Sequence, residues 1–133
     1  MLLTGIALSG AFISDLLGGW DTGLQSLLIF MAIDYLTGLI VAGVFKNSKK
    51  TEQGALESHA AWKGLFRKGT SLAVVLIACR LDILLQITII RDATVIAYVA
   101  NELLSITENI GLMGVPLPKI ITNAIEVLKG REQ

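Results

Sequence analysis

Four apolar stretches dominate the chain, and the polar residues inside them are few and regularly placed. The stretches cover residues 2–18, 24–45, 70–90 and 93–115. A membrane-crossing helix needs roughly 20 apolar residues. The second stretch is about 33 Å long at 1.5 Å per residue, enough for a hydrocarbon core of about 30 Å. The third and fourth have similar lengths. The first is shorter, rich in small residues, and ends at Gly18-Gly19-Trp20. The pattern predicts an all-α integral membrane protein of three to four transmembrane helices, with four favoured. It forms a single membrane domain over residues 1–133, with no separate soluble domain. The first stretch either spans or lies in the interface.

The connections are short except one. Arg91-Asp92 separates the third and fourth stretches, which predicts a tight helical hairpin. Residues 46–69 form the long loop, with six basic residues against two acidic ones. Basic loops stay on the cytoplasmic side. This loop is therefore expected inside, and the tail of residues 116–133, with Lys119, Lys129 and Arg131, falls inside with it. Within the loop, Trp62, Lys63, Phe66, Arg67 and Lys68 mix aromatic and basic side chains. They fit a short interfacial helix, rings in the lipid and cations at anionic headgroups. A solvated loop anchored by Trp62 alone is the plainer alternative.

Composition agrees with lipid as the solvent. Hydrophobic residues make up 53% of the 133, and charged residues 17%, against about 25% in soluble domains. The single cysteine and single histidine argue against a disulfide framework, thiolate or histidine metal sites, and Ser-His catalysis. No cofactor or enzymatic activity is expected. The basic patch is too short, and too close to an apolar helix, for nucleic acid. The start lacks a basic region before its apolar run, so no cleaved signal is expected.

Charges at membrane depth carry the functional information, since each costs about 2.5–3.5 kcal/mol unless paired or wetted. By depth, Asp34, Arg80 and Glu102 fall near the midpoints of three stretches. One cation between two carboxylates would relieve much of that penalty. Asp82 lies half a turn from Arg80 and points elsewhere. In the fourth stretch, Asn101, Glu102, Ser105, Glu108 and Asn109 recur every three or four residues and share a face. Such a stripe demands a protein interface or a wet lumen. Gly38 and Ala42, four apart, allow close helix packing. The charged cluster is read either as buried structural glue or as a lumen lining.

Those residues carry a resemblance. Asp34-Tyr35-Leu36-Thr37-Gly38, then Lys63-Gly64 with Arg67-Lys68, then Glu102-Leu-Leu-Ser105-Ile-Thr-Glu108-Asn109 and Gly114-Val115-Pro116-Leu117-Pro118, resemble the phage lysis and toxin-secretion holin family of Gram-positive bacteria and their phages. The resemblance spans residues 24–128. It implies a homo-oligomer in the bacterial cytoplasmic membrane that opens non-selective lesions. An endolysin or toxin passes as cargo without specific binding, and an antiholin is an implied partner. The alternatives are a small channel or transporter subunit, and an antiholin-like regulator.

Overall fold

The computed structural model describes residues 1–131. They form five helices and no strand: α1 (Leu2–Leu16), α2 (Thr22–Gly43), α3 (Ser58–Leu85), α4 (Ile90–Leu112) and α5 (Lys119–Arg131).

The elbow between α1 and α2 is built by Gly18 and Gly19, at φ +97° and +104°. Residues with a Cβ avoid that region. Asp21 then caps α2, its Oδ1 accepting from the Leu24 N–H at 2.9 Å, as an N-cap carboxylate does for an otherwise unpaired amide.

α3 differs from the expected third stretch at both ends. It begins at Ser58 rather than near residue 70, and the expected interfacial helix is its first turns. Nothing in Ser58–Gly69 breaks a helix: alanines, leucine, lysines and arginine outweigh two glycines. At the other end, Gln86 takes the left-handed conformation and its N–H reaches the Asp82 and Ile83 carbonyls. This is a common helix stop.

The expected hairpin follows, and Asp82 itself starts the next helix. Its two carboxylate oxygens accept from the Ile90 and Arg91 N–H groups at 2.9 and 3.0 Å. After α4, Pro116 and Pro118 interrupt the chain. The expected tail is then α5, which turns back onto α4 with Ile125 buried and Leu128 against the core.

α2 and α4 run parallel. Asp21 meets Arg91 at one end, and Asp34 meets Asn109 farther along. α3 runs antiparallel to both, its Lys68 at Asp34 and its Asp82 at the start of α4. Leu17, Leu24, Leu27, Met31, Val75, Cys79, Val95 and Val99 form the apolar core.

The outer surface is also apolar: Ile29, Leu36, Ile77, Ile83 and Leu84 are exposed, and no residue of α1 is buried. Soluble monomers rarely expose such continuous apolar surface. Among the described residues, α2 is the one helix long and apolar enough to cross a membrane. α3 and α4 carry too many charged and polar groups to qualify by composition, and α1 is too short.

Candidate functional site

A single lysine joins three helices. Lys68 Nζ of α3 lies 2.6 Å from Asp34 Oδ2 of α2 and 2.7 Å from Glu102 Oε2 of α4. All three side chains are largely buried, at 15%, 7% and 9% exposure. Charge-assisted contacts this short are the strong kind. Two carboxylates against one ammonium leave the group formally one charge negative.

Asn109 completes the cluster. Its Nδ2 donates to Asp34 Oδ1 at 3.0 Å, to the Asp34 carbonyl at 3.1 Å and to Thr37 Oγ1 at 2.9 Å. Thr37 in turn donates to the Ile33 carbonyl at 2.7 Å, so its oxygen is free to accept. Tyr35 ties α2 to α3, its hydroxyl donating to the Ala61 carbonyl at 3.2 Å. Two glycines adjoin these groups, each with space for a methyl at ordinary contact distance. A methyl built on Gly38 would lie 3.8 Å from Asn109 Nδ2, and one on Gly64 3.7 Å from the Tyr35 ring.

Arg80 was expected to be the bridging cation, and the structure places it elsewhere. It is exposed on α3, and among the described residues no ion pair includes it. Twelve residues separate it from Lys68, about 18 Å along a helix. Because α3 starts early, Lys68 and not Arg80 reaches the level of Asp34. Asp82 likewise stands apart from the cluster, as the cap of α4.

The polar face of α4 divides. Glu102 and Asn109 are buried, Ser105 is half-buried, and Asn101 and Glu108 are exposed. Glu108 lies 3.6 Å from Lys49 of the loop. Asn101, Glu102, Ser105 and Glu108 line an open cleft of about 860 Å³ between α2, α3 and α4, with Asp34, Lys63, Arg67 and Lys68. Trp62 and Phe66 are exposed on α3, their ring centroids 5.9 Å apart. Ala42 is buried, and Gly38 half-buried, on the side of α2 that faces α4.

Sequence reasoning left one cluster out. Arg91 is only 6% exposed. Its Nε donates to the Leu17 carbonyl at 2.9 Å, and its Nη2 to the Gly19 carbonyl at 3.2 Å. Its Nη1 donates to Asp21 Oδ2 at 2.5 Å and to Asp92 Oδ1 at 3.3 Å. One guanidinium thus clamps the α1–α2 elbow to the start of α4. The hydrogen bond from Arg91 holds the Asp21 carboxyl below its usual range. The available signal was a lone arginine in a joint otherwise facing Asp21 and a Gly-Gly pair.

The bacteriophage holin family model matches residues 11–130. The chain belongs to the bacteriophage holin family. A probable holin of Bacillus phage phi105 is 38% identical to it over 80% of this chain and 73% of that protein. An uncharacterized protein of Halalkalibacterium halodurans is 39% identical over 95% of this chain and 92% of its own. An uncharacterized 14.9 kDa protein of Clostridium perfringens is 37% identical over 96% and 92%. No solved structure matches. This holin family is not an enzyme family, and membership implies a membrane location. The family match begins at residue 11, so it includes the end of α1 and the elbow, ahead of the motifs that carried the resemblance. Part of those motifs comes together in space: Asp34, Thr37, Lys68, Glu102 and Asn109 form the Lys68 cluster, Gly38 lies beside Asn109 and Gly64 beside Tyr35, while Lys63, Arg67 and Glu108 are exposed.

Proposed function

We propose that this chain is a holin that oligomerises in the bacterial cytoplasmic membrane and forms non-selective lesions, through which an endolysin or a toxin leaves the cell. In this reading three to four helices cross the membrane, α2 to α4 with α1 as the favoured fourth despite its 15 residues, and residues 46–69 and the C-terminus lie on the cytoplasmic side. The observation that carries it is the Lys68 bridge within an apolar-sheathed bundle. The family's motif residues are spent on hiding polar groups in the closed chain, and those same groups are the ones a wet rim requires.

The mechanism is an exchange of partners. In the dispersed chain Glu102 and Asn109 are satisfied by Lys68 and Asp34, while Asn101, Ser105 and Glu108 already face an open cleft. At high density, neighbouring copies take over these contacts, α4 turns its polar face to the shared space, and water enters. A charge crossing the membrane potential changes energy by about 2.3 kcal/mol per 100 mV, so any charge that moves in the exchange couples it to that potential.

Inducing the chain alone, with a fluorescent cytoplasmic protein of endolysin size, tests the reading. Abrupt depolarisation with escape of the fluorescent protein is expected. Ion-selective flux without protein escape would assign a channel instead. Neither leak nor lysis, with the chain in the membrane, would assign a regulator that restrains another holin.

A further inference from the structure

Two charges at the end of the bundle opposite the cleft have no partner. Asp15, near the end of α1, and Arg80, on α3, are both exposed, and among the described residues neither enters an ion pair. Both lie near Arg91. Asp15 is two residues from Leu17, whose carbonyl Arg91 holds, and Arg80 is two residues from Asp82, whose carboxylate accepts from the Arg91 N–H. Two residues are about 3 Å along a helix axis. Both therefore lie close to the Arg91 cluster.

Both side chains point outward. Two residues turn a helix by about 200°, which directs Arg80 away from buried Asp82, and it lies on α3 with exposed Ile77 and Leu84. Asp15 extends a line with exposed Phe12 and Leu8 on α1, a helix that buries nothing of its own. Beyond Arg80, Ile83, Leu84 and Leu85 at the end of α3, and Ile89 in the turn before α4, are exposed and apolar. Arg80 thus sits beneath an apolar collar. Each helix offers one exposed charge on an exposed apolar face, negative on α1 and positive on α3.

We propose that these two faces meet between copies of this chain, with Asp15 of one copy paired to Arg80 of the next. The inference rests on the membrane reading above, since it is in lipid that an unpaired charge most requires a partner. The contact joins different faces of each copy. Such a heterologous contact leaves a free α1 face at one end and a free α3 face at the other, so it propagates into rings or open arrays.

Charge exchange in trans tests it. Asp15→Arg and Arg80→Asp, each expressed alone, are expected to lose most cross-linked species above the monomer. Co-expressed, they are expected to regain them, because Arg at 15 in one chain then faces Asp at 80 in the other. A salt bridge within one chain would not be restored this way, so single-variant loss without rescue overturns the proposal. So does an unchanged ladder in the single variants. A second measurement uses chains with Cys79→Ala: differently tagged Asp15→Cys and Arg80→Cys copies should form mixed disulfide dimers. Membrane flotation accompanies both. Chains that float without pairing refute the contact alone, whereas chains that fail to float refute the membrane reading beneath it.

Discussion

Replacing Lys68 by methionine isolates the central charge bridge. Methionine keeps the unbranched stem and removes the ammonium, leaving Asp34 and Glu102 buried beside each other without a cation. Breaking a buried pair by removing one partner costs about 3–5 kcal/mol. A second route to the magnitude agrees. The cheapest relief is for one carboxyl to take up a proton, and protonating a group of ordinary pKa near 4 at pH 7 costs about 4 kcal/mol, at 1.36 kcal/mol per unit. The sign with pH follows. The variant binds an extra proton when folded, so its deficit shrinks by about 1.4 kcal/mol for each unit the pH falls toward 4. Thermal unfolding of the purified protein in detergent, followed by circular dichroism at pH 7.5 and pH 5.5, measures both effects. Lys68→Met should melt well below the native chain at pH 7.5 and recover part of the gap at pH 5.5. The triple variant Lys68→Met, Asp34→Asn, Glu102→Gln should melt above Lys68→Met at pH 7.5, since no buried charge remains. Equal melting of Lys68→Met and the native chain at both pH values would refute the bridge as a structural element.

Other perturbations reach the neighbouring contacts. Asn109→Ala removes the donor that Asp34 and Thr37 share and should cost about 1–3 kcal/mol; Asn109→Asp, which sets a third carboxylate beside Asp34, should cost more in the same melting assay. At Gly18, with φ +97°, a methyl would come 2.8 Å from Arg91 Nε, so Gly18→Ala should lose about 1–3 kcal/mol and raise protease cutting at residues 17–21. The Asp21 carboxyl, lowered by Arg91, stabilises the elbow above the ordinary carboxylate range and loses that effect as pH falls through its own lowered value. Hydrogen-exchange protection at the elbow, taken relative to the intrinsic rate at each pH, should therefore persist through the ordinary carboxylate range and fall only below it, and Asp21→Asn should abolish that step. Arg80→Gln, which removes no contact within the chain, should leave the melting temperature of the detergent-dispersed monomer unchanged.

Much of this organisation was legible in the sequence, and the misplacements share one cause. Hydropathy marks where lipid contact ends, not where hydrogen bonding ends. α3 was therefore expected from residue 70, although Ser58–Gly69 continues the same helix. That error set the depth scale for α3, so the midpoint fell at Arg80 and the cation that meets Asp34 was sought there. Lys68 was assigned to the surface with Arg67, because a lysine at the edge of an apolar run usually snorkels. The polar stripe of α4 was visible from its spacing, but spacing does not tell which members face protein. Glu102 and Asn109 do so because they flank the side of α4 that also carries Val95, Val99 and Ile106, all buried. α5 left a readable signal, Ile121, Ile125 and Leu128 at helical intervals after two prolines, which its basic residues overshadowed.

The completeness of the Lys68 cluster bears on how a lesion could be timed. Asp34, Lys68, Glu102 and Asn109 each have partners within the chain, so exchanging them for identical partners on a neighbour yields little net energy per contact. Two satisfied states of similar energy do not convert gradually; small biases shift the population between them. Under the proposed function, isolated copies remain closed because opening any one of them exposes buried charge to lipid. A copy surrounded by others loses that penalty, because each released group finds its counterpart. Opening then depends steeply on local density, and weakening the closed arrangement should advance it. Lys68→Met leaves Asp34 and Glu102 without a cation in either arrangement. The cost is full only in the closed bundle, where they stay buried, and is relieved by water at a wet rim, so the variant should trigger lysis earlier at equal membrane abundance. Lysis at the native time, with the variant folded and equally abundant, would separate the bridge from the timing of the lesion.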